Sequence, residues 1–87
     1  MELIMVKKMG CMPCKEFEPF AEKRAKEETL SFRTIMGEDM PEKIQPPYFP
    51  FFYLYENNKI IESWGGTSEK KFDSVLKRTL KKLQTRL

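Results

Sequence analysis

The chain has 87 residues but no histidine, and it has only two cysteines, four glycines and one tryptophan. Without histidine, a hydrolytic enzyme built on a Cys–His pair is excluded, because such a nucleophile needs an imidazole base. A closed zinc site of cysteines and histidines is excluded as well, since zinc takes about four ligands. Three interpretations of the cysteine pair remain: a metal site shared between two chains, an inert structural role, and redox chemistry.

Long apolar runs and a large charge of either sign are also absent. The longest apolar run, residues 47–55, is far shorter than the roughly 20 residues of a transmembrane helix. Residues 1–7 contain Glu2 and only a brief apolar stretch, which is typical of a strand and not of a signal peptide. The net charge of +3 is too small to indicate a nucleic-acid partner. We therefore expect one domain over residues 1–87, monomeric and cytoplasmic, with neither a membrane nor a nucleic acid as partner.

The first half of the chain shows the pattern strand, helix, strand. An apolar run at residues 3–6 predicts a buried strand. Pro13 suits the first turn of a helix, and apolar residues at helical spacing extend that helix over residues 13–28. Pro19 lies inside it and is expected to kink it. Alternating apolar and polar residues at 30–35 predict a half-buried second strand.

The second half begins with a loop and continues with a hairpin. Residues 37–47 are rich in proline and acidic residues, which predicts a loop with one helical turn near residues 42–44. The aromatic run at 51–55 predicts a strand. Asn57 and Asn58 suit a two-residue turn, after which residues 59–64 form the returning strand. Gly65 and Gly66 are expected to end that strand.

The final segment predicts a helix that Thr67 or Ser68 caps. One side of it is an apolar stripe that should pack against the sheet. The stripe consists of Phe72, Val75, Leu76, Leu80, Leu83 and Leu87. Residues 70–87 also contain seven Lys or Arg residues and a single acid, Asp73. A solvated face is the ordinary interpretation of such a run, and a docking surface for an acidic partner is the alternative.

The order β-α-β-(loop)-β-β-α predicts an α/β fold with a four-stranded mixed sheet flanked by helices. The first two strands are joined through a helix and should lie parallel. The hairpin adds two antiparallel strands.

The cysteines, Cys11 and Cys14, lie between the first strand and the first helix. A thiolate attacks a disulfide, and the free N–H groups and dipole at a helix start stabilise that anion. We therefore expect Cys11 to be the attacking nucleophile and Cys14, one turn later, to resolve the mixed disulfide. Pro13 holds the turn between them, and Met12 is the variable spacer. In this context redox chemistry is favoured over an inert pair.

These residues resemble the thioredoxin superfamily. Thioredoxins carry Cys-Gly-Pro-Cys-Lys and a proline five residues after the second cysteine. Residues 11–15 here read Cys-Met-Pro-Cys-Lys, and Pro19 has that offset. Residues 49–59 are similar to the family segment that opens with Ile-Pro-Thr and ends in a Lys-Asn-Gly-type turn, and Gly66 matches a later family glycine.

The resemblance implies a substrate groove. Pro50 would be the cis-proline of the superfamily beside the cysteines, and the backbone of Phe49 would pair with an extended substrate segment. Gly65, Gly66 and Thr67 would form the opposite wall, where missing side chains allow close approach. Met12 would also contact the substrate. Simpler alternatives are a trans proline that opens a strand and a plain strand-to-helix turn.

The chain also departs from the thioredoxin pattern. It starts directly at the cysteine-bearing unit, and in that brevity it is similar to a glutaredoxin, which also has a Gly-Gly in its binding site. Gly10 replaces the family tryptophan, Phe51 replaces a threonine, and Met5 stands where thioredoxins bury an aspartate. Solvent or Lys8 would then have to accept the proton of Cys14.

The predicted function is a thiol–disulfide oxidoreductase without cofactor or metal. Its substrates would be disulfide-containing proteins, and a reductase or glutathione would supply the electrons. One alternative is a glutaredoxin-like, glutathione-dependent reductase. Another is a thioredoxin-fold interaction module without turnover, motivated by the basic final helix and the apolar residues 46–49.

Overall fold

The computed structural model describes residues 1–84, in which two helices and four strands follow one another in the predicted order. These are β1 (Glu2–Lys7), α1 (Met12–Glu27), β2 (Ser31–Met36), β3 (Phe51–Glu56), β4 (Lys59–Gly65) and α2 (Glu69–Gln84). The strands form one sheet in the order β2-β1-β3-β4. β1 is parallel to β2 and antiparallel to β3, and β4 is antiparallel to β3. The predicted α/β fold with a four-stranded mixed sheet is confirmed.

Local sequence signals explain most element boundaries. Asn57 and Asn58 adopt φ angles of 53° and 62°, the left-handed conformation that a tight hairpin turn needs. Ser68 caps α2, because its Oγ accepts a hydrogen bond of 3.1 Å from the backbone N–H of Lys71. The helical segment of α1 is continuous through Pro19. Leu87, predicted for the apolar stripe of α2, lies outside the described residues.

Both helices pack on the same side of the sheet, which we call the helix face. Its core contains aromatic rings in mutual contact, with centroids 5.1 to 5.8 Å apart. These rings belong to Phe17, Phe20, Phe52, Trp64 and Phe72. Leu3, Met5, Ala21, Ala25, Leu54, Val75 and Leu76 complete the buried layer, which also includes Cys14. The helix face therefore holds the larger hydrophobic core and one of the two cysteines.

The opposite side of the sheet, the loop face, is covered by residues 37–50 instead of a helix. Ile4, Val6 and Tyr53 pack there against Met40 and Ile44. The covering loop contains two short 3₁₀ turns, Gly37–Asp39 and Glu42–Ile44, of which only the second was predicted. The helices thus flank one face only.

Side-chain hydrogen bonds link the two helices to each other and link the sheet to the loop that covers its other face. Arg24 of α1 donates a 2.6 Å hydrogen bond to Asp73 of α2 and also pairs with Glu27 and Glu28. The bond to Asp73 is the main cause of the raised pKa of Arg24. On the loop face, the hydroxyl of Tyr53 donates to the carbonyl of Ile44 at 2.8 Å.

Candidate functional site: the Cys11–Cys14 disulfide at the start of α1

Cys11 and Cys14 form a disulfide at the N-terminal end of α1. Cys11 is the N-cap residue of that helix, with φ −85° and ψ 99°. Its Sγ accepts a hydrogen bond of 3.2 Å from the backbone N–H of Cys14. Pro13 lies in the first turn and has no N–H, so the N–H of Cys14 is the donor left to cap the helix start. The sequence thus puts a sulfur atom where helices usually carry a serine or aspartate oxygen.

The two cysteines differ in their exposure. Cys11 is half-buried, whereas Cys14 is only 1 % exposed and belongs to the core of the helix face. Pro13 and Met12 between them are exposed, Met12 by 59 %. An external molecule can therefore reach the sulfur of Cys11 more readily than that of Cys14.

No carboxylate is buried behind the disulfide within residues 1–84. Met5 is fully buried in the same core cluster as Cys14. The groove that Cys14 lines also contains Lys7 and Glu18, whose side chains form a 2.8 Å ion pair. Both are about one-third exposed.

Two open grooves adjoin the disulfide. The first, of about 430 Å³, is lined by both cysteines, three lysines and one carboxylate, and we call it the lysine groove. The charged residues are Lys7, Lys8, Lys15 and Glu18. It also contains Met9, which is 85 % exposed. Cys14, although only 1 % exposed, thus contributes to the lining of this groove.

The second groove, of about 510 Å³, is lined by Cys11, Met12, Pro13 and the segment from Pro47 to Phe49. We call it the aromatic groove. Tyr48 is 47 % exposed there, and Phe49 is half-buried. Lys8 lines both grooves, and its Nζ lies 5.6 Å from the centre of the Phe49 ring. The two grooves therefore meet at Cys11 and Lys8.

The segment that precedes β3 is held against the end of β4. The Phe49–Pro50 peptide bond is cis, and Pro50 is fully buried. The carbonyl of Pro50 accepts a 2.9 Å hydrogen bond from the N–H of Gly66. Phe49 brings its ring into the space beside Gly37, where a Cβ would lie 2.6 Å from the ring.

The glycine pair at the end of β4 has two different surroundings. Gly65 is the last residue of the strand and is buried, and a Cβ there would lie 2.6 Å from the Tyr48 ring. Gly66 leaves the strand with φ +99°, next to open space. Thr67 is exposed. These three residues line neither the lysine groove nor the aromatic groove.

Of the predicted site residues, the structure brings Cys11, Met12, Pro13, Cys14 and Phe49 together around the two grooves. Pro50 and Gly66 lie behind them as a hydrogen-bonded pair. Sequence reasoning missed Glu18 as a site residue, and it treated Tyr48 only as part of an apolar surface. Glu18 follows Cys14 by four residues, the spacing of neighbours on one helix face, so that signal was available.

Neither a metal centre nor a membrane span emerges from the described part of the chain. Residues 1–84 bring together no group of three or more Cys, Asp or Glu side chains that could hold a metal ion. No helix among these residues is both long and apolar enough to cross a membrane.

Comparison with known proteins identifies the fold. No protein-family model matches the sequence, and no curated protein matches it. Solved structures do match. Thioredoxin 1 from Thermosipho africanus superposes with a TM-score of 0.80 at 18% identity, over 97% of this chain and 99% of that one. Thioredoxin f2 from Chlamydomonas reinhardtii gives 0.76 at 20% identity, over 87% and 75%.

A third similar structure bears on the compartment. The periplasmic thioredoxin SoxS from Paracoccus pantotrophus superposes with a TM-score of 0.73 at 18% identity, over 90% of this chain and 93% of that one. Because the fold occurs in a periplasmic protein, it does not decide the compartment of this chain, and the cytoplasm stays a prediction. The structure and the comparisons together show that the chain has the thioredoxin fold, with a Cys-X-X-Cys disulfide at the start of its first helix.

Proposed function

We propose that the protein is a thiol–disulfide oxidoreductase that reduces disulfides of other proteins with its Cys11–Cys14 dithiol. The observation that carries this proposal is the position of the Cys11 sulfur. It is accessible, it caps a helix, and it accepts a backbone N–H. A thiolate at this position gains a charge-assisted hydrogen bond and the positive end of the helix dipole, which favour ionisation of the attacking thiol.

In the first step, the thiolate of Cys11 attacks one sulfur of the substrate disulfide. A bond forms between Cys11 and that sulfur, and the second substrate sulfur leaves as a thiolate that takes a proton from water. The exposure of Cys11 and the low burial of Met12 and Pro13 support this role, since an incoming chain can approach along the aromatic groove.

In the second step, Cys14 loses its proton and attacks the Cys11 sulfur of the mixed disulfide. The Cys11–Cys14 bond forms, and the remaining substrate sulfur leaves as a thiolate and is protonated. Two electrons and two protons have then passed from the protein to the substrate. Because residues 1–84 bury no carboxylate near Cys14, water in the lysine groove is the proposed proton acceptor. A reductase or glutathione would reduce the protein again.

Docking of the substrate is proposed at the segment from Pro47 to Pro50. Phe49 lines the aromatic groove together with Cys11, so its backbone is the proposed partner for an extended substrate segment. The bond between Gly66 and Pro50 supports a fixed position for that backbone. Gly65 and Thr67 would act at the edge of this surface.

Reduction of insulin disulfides tests the proposal. We expect the dithiol form to reduce insulin with a catalytic amount of protein, and Cys11→Ser to abolish turnover because the attacking sulfur is lost. Cys14→Ser should stop turnover after one step and accumulate a mixed disulfide at Cys11, which mass spectrometry detects. Full activity in Cys11→Ser would overturn the assignment.

The same variants separate the two sources of electrons. A glutathione-dependent reductase needs only its first cysteine to reduce a glutathionylated protein. If Cys14→Ser still reduced a glutathionylated peptide with glutathione, and thioredoxin reductase did not reduce the wild-type disulfide, the glutaredoxin-like alternative would replace the proposed one. No turnover with either reductant would favour an interaction module.

A further inference from the structure

The charge of the lysine groove is positive near Cys11. Of its four charged residues, Lys7 and Glu18 neutralise each other in their ion pair. Lys8 and Lys15 are exposed, and neither has a carboxylate within ion-pair distance among residues 1–84. Two ammonium groups therefore line the same groove as the half-buried Cys11 without a carboxylate partner among residues 1–84. Such a surface attracts negative groups and raises the rate at which they arrive.

The aromatic groove offers a different chemistry on its side of Cys11. Tyr48 is half-exposed, yet its ring is held, because it packs edge-on to Phe51 at 5.6 Å and occupies the space above Gly65. Met12, which lines both grooves, provides a second exposed apolar surface. A fixed aromatic ring beside a flexible thioether is suited to an aromatic or large aliphatic side chain. Both grooves share Cys11, and they differ in that Lys15 lines only the lysine groove whereas Tyr48 lines only the aromatic groove.

We propose that the preferred substrate is a protein disulfide whose attacked cysteine has an acidic residue on one side and an aromatic or large apolar residue on the other. The acidic residue would lie against Lys8 and Lys15, and the apolar residue would lie against Tyr48 and Met12. This inference rests on the proposed function and adds the substrate class to it. The charge provides selection during encounter, and the apolar contact slows dissociation.

Three disulfide-linked peptides with a fluorophore and a quencher test this selection. One carries Glu and Phe beside the cysteine, the second carries Lys and Phe, and the third carries Glu and Ser. At low salt we expect kcat/KM for the Glu–Phe peptide to exceed that for the Lys–Phe peptide by about tenfold, and added 0.5 M salt to remove most of this ratio. The Glu–Ser peptide should be slower than the Glu–Phe peptide by about fivefold at either salt concentration.

Charge reversal identifies the lysines responsible. Lys8→Glu combined with Lys15→Glu should invert the ratio between the Glu–Phe and Lys–Phe peptides. The matched control combines Lys26→Glu with Lys59→Glu, which gives the same net charge at exposed positions away from the grooves, and it should keep the wild-type ratio. Because lysines also affect the reactivity of Cys11 toward every peptide, the ratio between peptides is the decisive quantity.

A substitution of Tyr48 tests the proposed apolar contact with the substrate. Tyr48→Ser should remove the preference for Phe over Ser and keep the charge preference, while the exposed Ile60→Ser should change neither. Equal rates for all three peptides in the wild-type protein would overturn the proposed substrate class and leave the oxidoreductase intact. If insulin and all three peptides stayed unreduced, the proposed function itself would fail.

Discussion

Two neighbouring residues of β3 face different surroundings. Phe52 is fully buried on the helix face, where its ring contacts three other aromatic rings. Tyr53 is also buried, but it lies on the loop face, where it packs against Met40 and Ile44 and donates its hydroxyl to a loop carbonyl. A helix offers a continuous apolar stripe to a sheet, whereas the loop offers single side chains between polar backbone groups.

The loop face is also less completely covered. An open cavity of about 200 Å³ remains there, and its lining includes Ile4, Ile35 and the exposed Ile60. On the helix face, the same cluster that closes the core includes Cys14. The larger buried cluster, which includes Cys14, therefore lies on the helix face, whereas the loop that covers the other face also carries the residues from Pro47 to Phe49 that line the aromatic groove.

The largest effect should come from Phe72 of α2, whose ring contacts four aromatic rings on the helix face. Phe72→Ala should lower the free energy of unfolding by about 3–5 kcal/mol, because it leaves a cavity in the larger core. Urea unfolding of the oxidised protein measures this loss. Phe72→Leu, which keeps most of the volume, should cost less than half as much. A loss below about 1.5 kcal/mol for Phe72→Ala would mean that the helix face repacks easily.

A truncation on the loop face should cost less. Met40 is buried between the loop and the sheet and lines the existing cavity. We expect Met40→Ala to lower the free energy of unfolding by about 2 kcal/mol, the low end for such a change, because the loop can close on the space. The insulin reduction rate should stay within about twofold of the wild type. A cost equal to that of Phe72→Ala would remove the difference between the two faces.

The hydroxyl of Tyr53 provides a smaller and pH-dependent contribution. Tyr53→Phe loses the bond to Ile44 and should cost about 1 kcal/mol at neutral pH. Burial raises the pKa of Tyr53, so the folded state favours the neutral phenol. This stabilisation is complete below the unfolded pKa of about 10 and is lost as the pH rises through the higher folded value.

Urea unfolding at increasing pH measures the Tyr53 effect. As the pH rises above about 10, the wild-type protein should lose more stability than Tyr53→Phe. Tyr48→Phe removes an exposed hydroxyl and serves as the control, which should follow the wild type. If the free energy of unfolding fell equally with pH in the wild type and in Tyr53→Phe, the ionisation of the buried hydroxyl would not be coupled to unfolding.

The elements themselves could be predicted because their signals are local. The alternation at 30–35, the paired asparagines and the apolar stripe of α2 each depend on residues close in sequence. The covering of the loop face could not, since residues 37–50 show no periodicity and pack by individual side chains. The 3₁₀ turn Gly37–Asp39 begins at such a contact, because Gly37 lies beside the ring of Phe49, a residue distant in sequence.

The position of the cysteine pair could be predicted from the sequence, but its surroundings could not. The cysteine spacing and Pro13 indicated a sulfur atom at a helix start. The surroundings depend on contacts between distant residues: Lys7 meets Glu18 across 11 positions, and Tyr48 fills the space that Gly65 leaves. Nothing in the sequence distinguishes Gly65 from Gly66. In the structure Gly65 is buried beside the Tyr48 ring, whereas Gly66 lies next to open space.

The smallest predicted effect concerns the end of α1, far along the helix from Cys11. Thr29 follows the helix with φ 56°, a left-handed conformation where glycine is usual and a β-branched residue is strained. The turn that ends the helix is held by a hydrogen bond of 2.8 Å from the N–H of Leu30 to the carbonyl of Ala25. Thr29→Gly relieves the strain but adds backbone freedom to the unfolded state, so we expect a net gain of only about 0.5 kcal/mol.

Thermal and urea unfolding measure this gain, and Thr67→Gly is its control. Thr67 is exposed and does not have a positive φ, so the same replacement there should stabilise nothing. Thr29 lies in neither groove, and the insulin reduction rate of Thr29→Gly should equal that of the wild type. A stabilised helix with an altered reduction rate would contradict this, because it would mean that the C-terminal end of α1 controls the sulfur at its start.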